Sequence, residues 1–196
     1  QAYWEREKPW DYGWDEGELI PVPSCWNTVN PKYYYYEGSA WYARRVSYQP
    51  QRPGERVFLR VGAANYETKV FLNGEYLGYH QGGSTPFCLE LTTHLQGDNL
   101  LQICVNNERS VQRVPGRNTD WFNYGGLYRE VELLRLPSSF IQDVRIYLVP
   151  DGSYSTIKAE VEINNPLAGE MVSFAIPELK IAEQRPVNGS RAEFTI

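Results

Sequence analysis

The chain has 196 residues, with 24 acidic and 19 basic side chains and a formal charge of −5. This length is enough for one large or two small domains, each with an apolar core. The acidic balance argues against a nucleic-acid-binding protein, and no apolar run approaches the ~18 residues that span a bilayer. Aromatic residues make up 14% of the chain. Such residues favour β-strands and also offer flat faces on which sugars stack.

Alternation of apolar and polar residues predicts β-strands along nearly the whole chain. The apolar stripes, in chain order, are Val57/Leu59/Val61, Val70/Leu72, Leu101/Ile103/Val105, Val144/Ile146/Leu148, Ala159/Val161/Ile163 and Val172/Phe174/Ile176. Asn73-Gly74 is the strongest hairpin signal, because both residues tolerate the positive φ of a tight turn. Helical periodicity is missing except for one turn at Pro177–Ala182. The chain is therefore predicted to be all-β and built of sandwiches.

A domain boundary is predicted near Pro137, where Pro137-Ser138-Ser139 ends one set of strands. Residues 1–137 suit a complete sandwich of eight or nine strands. Residues 138–196 offer some four strands, whereas an immunoglobulin-type sandwich has seven strands in about 100 residues. The second domain is therefore expected to be incomplete, either packed on the first as a half-domain or continued by further chain.

The densest group of functional side chains lies in residues 117–129. Asp120 and Asn123 can exchange hydrogen bonds with hydroxyls, and Trp121, Phe122 and Tyr124 can pack against a pyranose face. The glycine pair that follows, residues 125 and 126, allows a sharp turn or a close approach to a neighbour. The competing interpretation is structural, since aromatics are usually core residues and a glycine pair before a strand is usually a bulge.

The other candidate groups favour structure over chemistry. His80 is interpreted as structural, because no nucleophile accompanies it. For the four consecutive tyrosines, Tyr33–Tyr36, packing in a core or an interface is preferred to sugar stacking. No carboxylate pair, phosphate-binding glycine loop or zinc-ligand spacing stands out, so no catalytic residue, metal or cofactor is predicted. Cys25, Cys88 and Cys104 allow at most one disulfide and leave the redox compartment undecided.

Four segments, in order, resemble the motifs of glycoside hydrolase family 2, which contains β-galactosidases, β-glucuronidases and β-mannosidases. They are Val22–Asn27, Gly38–Arg45, Val70–Phe87 and Asp120–Val131, similar to the patterns VP-x-x-W/F-N, G-x-x-WY-x-R, V-W-(V/L)-NG…G-x-H-x-GG-(Y/F)-x-PF and D-x-x-NYGG-(I/L)-x-R-x-V. Ser84 departs from the third pattern, which often has an aromatic residue there. The ordered set is far more specific than any single motif.

The resemblance implies a jelly-roll, galactose-binding-like sandwich over residues 1–137 and an incomplete immunoglobulin-like sandwich over residues 138–196. It implies that the parent protein is a retaining glycosidase of β-linked galactosides, glucuronides or mannosides. The catalytic glutamates are expected in a TIM barrel that this chain lacks, so the chain alone is expected to be inactive. Asp120 is the position implied to bind substrate, whereas Asn123 and Arg129 are interpreted as structural.

The implied partners are a carbohydrate substrate and the remainder of the polypeptide, with no nucleic acid, membrane or cofactor. Two other functions stay open: a stand-alone carbohydrate-binding module or lectin-like sandwich, and a pure scaffold. The identity of the glycoside and the formation of a homo-oligomer are also left open. The compartment is undetermined, with an extracytoplasmic location, periplasmic or secreted, favoured by the resemblance.

Overall fold

The structure, a computed structural model, describes residues 13, 14, 17–150, 152 and 154–196. It divides into two units, one ending at Arg135 and the other running from Leu136 to Ile196. The strands of the first unit are β1 (Ser39–Ser47), β2 (Arg56–Val61), β3 (Ala64–Asn65), β4 (Glu67–Leu72), β5 (Glu75–Gln81), β6 (Phe87–Glu90), β7 (Asp98–Asn106), β8 (Gly126–Leu127) and β9 (Val131–Leu136). Those of the second are β10 (Phe140–Leu148), β11 (Ile157–Asn164), β12 (Met171–Ile176), β13 (Ile181–Pro186) and β14 (Arg191–Thr195).

Helical structure in the described residues is limited to short pieces, so the predicted all-β class is confirmed. One α-helical turn, α1, spans Trp26–Val29, and 3₁₀ turns span Pro31–Tyr33 and Pro177–Leu179. The predicted turn at Pro177–Ala182 is thus shorter than expected, because β13 begins at Ile181. Among the described residues, no helix has the length and apolar character needed to cross a membrane.

The first unit is built around two larger sheets. One has the strand order β1-β7-β4-β5 and the other the order β6-β2-β9, while β3 and β8 form a separate ribbon. The predicted stripes supply the core, because their alternate side chains point inward from facing strands. Fully or almost fully buried members of this core are Leu59, Val61, Val70, Leu72, Ile103 and Val105.

The β1-β7-β4-β5 sheet is covered on both faces, which alternation alone did not predict. Phe71, Gln102 and Cys104 are buried although they are not part of the predicted apolar stripes. The cover includes Trp41 of β1, whose ring centroid lies 5.5 Å from that of Phe71. Trp14 in turn lies 5.9 Å from Trp41. Aromatic side chains thus form a second apolar layer outside the sandwich core.

The hairpin between β4 and β5 is formed as predicted. Asn73 and Gly74 occupy its turn with φ values of 53° and 84°. The Asn73 side chain also ties the turn to the start of β7, because its Oδ1 accepts a hydrogen bond of 2.9 Å from the Leu100 N–H. The second strand of this hairpin, β5, ends at Gln81. Residues 80–87 border the candidate site described below.

The second unit contains a three-stranded sheet, β10-β11-β14, and a two-stranded sheet, β12-β13. Its buried core lies between Val161 and Ile163 of β11, Val172 of β12 and Phe194 of β14. Strand β10 differs from its neighbours, because all of its residues after Phe140 are exposed. The unit has five strands where the sequence predicted some four.

Candidate functional site

The predicted functional cluster lies in the long connection between β7 and β8, residues 107–125. This connection contains no helix or strand. Irregular loops of this length are uncommon in compact domains and are usually either functional or disordered linkers, and this one is held by the contacts described next. We call it the Asp120 loop. Because Asp120 projects from an irregular backbone, its position depends on the side chains that anchor the loop.

A glycine pair anchors the end of the Asp120 loop against the first family-like motif. A side chain on Gly125 would place its Cβ 2.0 Å from the Trp26 ring, and Gly126 has a φ of 134°. The close approach allows backbone hydrogen bonds from Trp26 N–H to the Gly125 carbonyl (3.1 Å) and from Ser24 N–H to the Leu127 carbonyl (2.8 Å). Glycine is therefore required here for both contact and conformation.

Four buried asparagines fix the backbone that follows Asp120. Asn107 Nδ2 donates to the Asn123 carbonyl (3.0 Å), and Asn123 Nδ2 donates back to the Asn107 carbonyl (2.5 Å). Asn65 Nδ2 donates to Asn123 Oδ1 (3.0 Å), and Asn27 Oδ1 accepts from the Gly125 N–H (2.8 Å). Because an unpaired buried amide costs about 1–3 kcal/mol, these reciprocal bonds specify one loop conformation. Asn123 thus has the structural role expected of it.

Arg109 holds the two peptide carbonyls on either side of Asp120. Its Nη1 donates to the Thr119 carbonyl and its Nη2 to the Trp121 carbonyl, both at 3.3 Å. Its Nε lies 3.0 Å from Glu37 Oε1, an ion pair without hydrogen-bond alignment. The planar guanidinium suits this task, since it presents several donors in a fixed fork.

Asp120 lies in a cleft of about 330 Å³, which we call the Asp120 cleft. Its lining includes Tyr34, Tyr35, Glu37, Arg109, Asp120 and Phe122. Asp120 is exposed, and its carboxylate has no hydrogen bond or ion pair within the described part of the chain. An ionised carboxylate is an acceptor only, so these oxygens are available to hydroxyl donors of a ligand.

Aromatic rings form one wall of the Asp120 cleft. The Phe122 ring centroid lies 4.9 Å from that of Tyr34 and 6.5 Å from that of Tyr35. Of the two packing alternatives, core packing is wrong for Tyr34 and Tyr35, since Tyr35 is 86% exposed, whereas packing in an interface stays a prediction. Sequence reasoning also missed Glu37 and Arg109, which belong to no family-like motif.

The remaining candidates lie outside the Asp120 cleft. His80 stacks on Phe87 with a centroid separation of 4.5 Å, and its Nε2 lies 3.0 Å from Thr85 Oγ1. Arg129 donates from Nη1 to the Ser84 carbonyl at 3.5 Å. Burial raises the pKa of the Cys25 thiol, which disfavours the thiolate that a nucleophile requires.

The Asp120 cleft offers ring surface and the acceptor oxygens of one unengaged carboxylate. Asp120 and Glu37 are its lining carboxylates, and Glu37 is engaged by Arg109. Glycoside hydrolysis uses two carboxylates in separate roles, whereas this cleft has one that is unengaged. No cluster of three or more His, Cys, Asp or Glu side chains suited to a metal occurs in the described ranges. All three cysteines are free thiols.

Comparison with known proteins gives a consistent family assignment. Residues 4–137 match the model described as "Glycosyl hydrolases family 2, sugar binding domain". The chain is 29% identical over 171 residues to a β-galactosidase of Thermoanaerobacter pseudethanolicus, covering 83% of this chain and 22% of that enzyme. It is 31% identical over 157 residues to the β-glucuronidase of Felis catus, covering 65% of this chain and 24% of that enzyme. It therefore spans about a quarter of the length of these relatives.

Solved structures of a β-glucuronidase and of a putative β-galactosidase have a similar fold. The structure of a β-glucuronidase from Bifidobacterium dentium, complexed with coumarin-3-O-glucuronide, matches with a TM-score of 0.76 at 23% identity. The match covers 93% of this chain and 38% of that enzyme. A putative β-galactosidase from Bacteroides fragilis matches with a TM-score of 0.72 at 21% identity, over 93% of this chain and 31% of that one.

Proposed function

The chain belongs to glycoside hydrolase family 2, and from this premise we propose that it forms the N-terminal, non-catalytic part of a retaining glycosidase. The proposed substrates are β-linked galactosides, glucuronides or mannosides. Its proposed partner is the remainder of its own polypeptide, a TIM barrel that carries the acid/base and nucleophile glutamates. The short share of the relatives' length that the chain spans supports this division of labour.

The observation that carries the proposal is the unengaged carboxylate of Asp120 in an aromatic-walled cleft. A pyranose has an apolar face and equatorial hydroxyls at its rim, so it needs both a ring to pack against and acceptors at the side. Phe122 and Tyr34 supply ring surface, and Asp120 supplies two charged acceptor oxygens. We assign Asp120 the binding of substrate hydroxyls, while the chemical step belongs to the barrel.

The test is the substitution Asp120→Asn in the parent polypeptide, assayed on nitrophenyl β-galactoside, β-glucuronide and β-mannoside. Hydrogen bonds to a charged group are worth about 1.5–3 kcal/mol, and 1.4 kcal/mol is tenfold. We therefore expect kcat/KM to fall by roughly 10- to 150-fold with an unchanged melting temperature. The matched control is Glu108→Gln, which alters an exposed carboxylate of the same loop that does not line the Asp120 cleft. Full activity of the Asp120 variant would remove the assignment.

A stand-alone carbohydrate-binding module is the competing function. Assays on the 196-residue chain and on the parent polypeptide distinguish it from part of a glycosidase. In that case the 196-residue chain would bind oligosaccharides in calorimetry, and the parent polypeptide would hydrolyse none of the three glycosides. Hydrolysis by the parent with no turnover by the chain alone supports the glycosidase.

We also infer that residues 138–196 form an incomplete immunoglobulin-like sandwich that further strands of the parent polypeptide complete. Val144, Ile146 and Leu148 of β10 are 47%, 59% and 50% exposed. Two of their cross-strand partners in β11, Val161 and Ala159, are buried. Directly paired residues share one face of a sheet. The exposed residues of β10 therefore lie on the same face as the buried residues of β11, but nothing in the described chain covers them.

The inference predicts a different response on the two faces of β10 in the parent polypeptide. Ile146→Lys is expected to lower the free energy of unfolding by roughly 1.5–3 kcal/mol, the value of burying such a side chain. Tyr147→Lys, on the opposite face of the strand, is the control and is expected to have a smaller effect. Chemical denaturation measures both. An equally small effect of the two substitutions would contradict a cover over the stripe.

A further inference from the structure

A second and larger cleft borders the Asp120 cleft. Its volume is about 630 Å³, and Trp121, Phe122 and Asn123 line both clefts. We call it the Ser84 cleft. Its other lining residues include Tyr66, Gly83, Ser84, Tyr124 and Tyr128. Ligand clefts in proteins measure about 300–1,000 Å³, so both clefts fall within that range and the second is about twice the size of the first.

The segment that carries Ser84 is fixed in place. A Cβ on Gly83 would lie 2.6 Å from Asn65 Oδ1, so the backbone packs directly on that buried asparagine. On one side Thr85 Oγ1 lies 3.0 Å from His80 Nε2, and on the other the Ser84 carbonyl accepts from Arg129. The same Asn65 holds Asn123 of the Asp120 loop. Both walls of the Ser84 cleft are therefore anchored on one residue, and the cleft is pre-formed.

The lining of the Ser84 cleft combines ring surface with unengaged polar groups. Trp121 and Tyr124 are 57% and 47% exposed. The hydroxyls of Tyr66, Tyr124 and Tyr128 have no hydrogen-bond partner among the described residues. A phenolic hydroxyl both donates and accepts, and the ring below it is apolar. Such a surface matches a saccharide, which needs stacking and hydrogen bonds at once.

Ser84 is the residue that leaves this space open. It is exposed and small, and it stands at the motif position where the related pattern often has an aromatic residue. A tyrosine at the same position would carry a ring into the cleft from an anchored backbone. Such a ring is expected to narrow the cleft, of whose wall Ser84 is a part.

We propose that the Ser84 cleft is a second saccharide subsite, which binds the sugar unit next to the one held at Asp120. The proposal rests on the proposed function, since it takes the Asp120 cleft as the site of the first sugar. It follows that the protein prefers oligosaccharides to glycosides with a small aglycone. Trp121 and Tyr124 supply the stacking faces, and the tyrosine hydroxyls bind the hydroxyls of the second sugar.

The experiment compares two substrates of the parent polypeptide that share the same non-reducing sugar: its methyl β-glycoside and the corresponding β-linked disaccharide. Sugar release is followed for the unaltered protein, Ser84→Tyr and Tyr124→Phe. We expect Ser84→Tyr to lower kcat/KM for the disaccharide at least tenfold and to leave the methyl glycoside within twofold. Tyr124→Phe, which keeps the ring and removes one hydroxyl, is expected to lower kcat/KM for the disaccharide alone, by a smaller factor.

The control is Ser190→Tyr, at an exposed serine of the second unit, which is expected to change neither substrate. Equal losses on both substrates in Ser84→Tyr, or no loss on either, would overturn the second subsite. The nitrophenyl β-glycoside of the same sugar is assayed alongside, and a loss confined to it would also overturn the second subsite, since the cleft would then bind a ring that is not a sugar. Asp120→Asn separates the two proposals: it is expected to affect both substrates equally, and its failure leaves a selective effect of Ser84→Tyr intact.

Discussion

Arg109 offers a sharp test of how the Asp120 loop works, because it bonds to the backbone on both sides of Asp120 without being the proposed substrate contact. The substitution is Arg109→Ala in the parent polypeptide. It removes the two bonds of 3.3 Å to the carbonyls of Thr119 and Trp121, together with the ion pair to Glu37. Arg109 is therefore proposed as a positioning residue.

The magnitude follows from the geometry. Each bond, at 3.3 Å, is slightly longer than the usual range of roughly 2.7–3.2 Å. We therefore take the lower part of the net range, about 0.5–1 kcal/mol per bond, which gives about 1–2 kcal/mol for the pair. The side chains of Arg109 and Glu37 are 24% and 33% exposed, so their ion pair adds little. A loss of about 1–2 kcal/mol lowers the equilibrium constant for the ordered loop about 5- to 30-fold. The fraction of molecules with Asp120 in place falls by at most that factor, and the apparent affinity for substrate falls with that fraction.

Steady-state kinetics on a nitrophenyl glycoside provide the assay. We expect KM to rise by up to about 30-fold, kcat to change less and the melting temperature to stay nearly constant. Arg109→Lys is expected to recover little, because an ammonium cannot reproduce the fork that holds two carbonyls. In an Asp120→Asn background, Arg109→Ala should add almost nothing, since a positioning effect needs the carboxylate that it positions. Fully additive losses, or complete rescue by lysine, would refute this reasoning.

Three further predictions concern stability, each measured by thermal or chemical denaturation. Gln102→Met is expected to stabilise by about 1 kcal/mol or more, because the buried Gln102 amide has no hydrogen-bond partner in the described chain and such groups are costly; a destabilised variant would contradict this. Gly125→Ala is expected to destabilise the protein by about 3 kcal/mol or more, because the alanine methyl group would overlap the Trp26 ring; wild-type stability of this variant would contradict it. The hydrogen bond from Arg56 lowers the pKa of Glu90 below its ordinary 4.5. Stability from this pair is therefore present above pH 4.5 and lost as the pH falls through the native pKa. Arg56→Gln should weaken the acid dependence, and an unchanged pH profile would count against it.

The parts of the fold that the sequence predicted are those encoded locally. The alternation of Val57, Leu59 and Val61 predicts a strand with one buried face, and Asn73-Gly74 predicts a hairpin. Neither prediction needs information from the rest of the chain. The burial of Gln102 and Cys104 depends on rings from β1 and from Trp14. The alternation of residues within β7 cannot predict this burial, because it arises from segments that are distant in sequence.

The same distinction applies to the candidate site. Asp120 could be picked out from the sequence, because its loop carries a dense group of polar and aromatic residues that resembles a family motif; the structure places it in a cleft, and its role in binding stays a prediction. Arg109 and Glu37 were not, since each acts through a partner far away in sequence and lies outside the motifs. Tyr35 was assigned to packing in a core or an interface, whereas it follows a 3₁₀ turn at Pro31–Tyr33 and lines the Asp120 cleft.

The shared wall between the two clefts decides which substitutions can separate the two proposals. Trp121 lines both, so its truncation would weaken binding in each and could not distinguish them. Asp120 lines only the first and Ser84 only the second. If each cleft binds its own sugar unit, losses in the double variant Asp120→Asn/Ser84→Tyr should add in free energy on the disaccharide, as independent sites do. The losses from the Arg109 and Asp120 substitutions should not add, because both substitutions act on the same carboxylate. A coupled response of Asp120 and Ser84 would mean that the two clefts hold a single ring, and the second subsite would have to be abandoned.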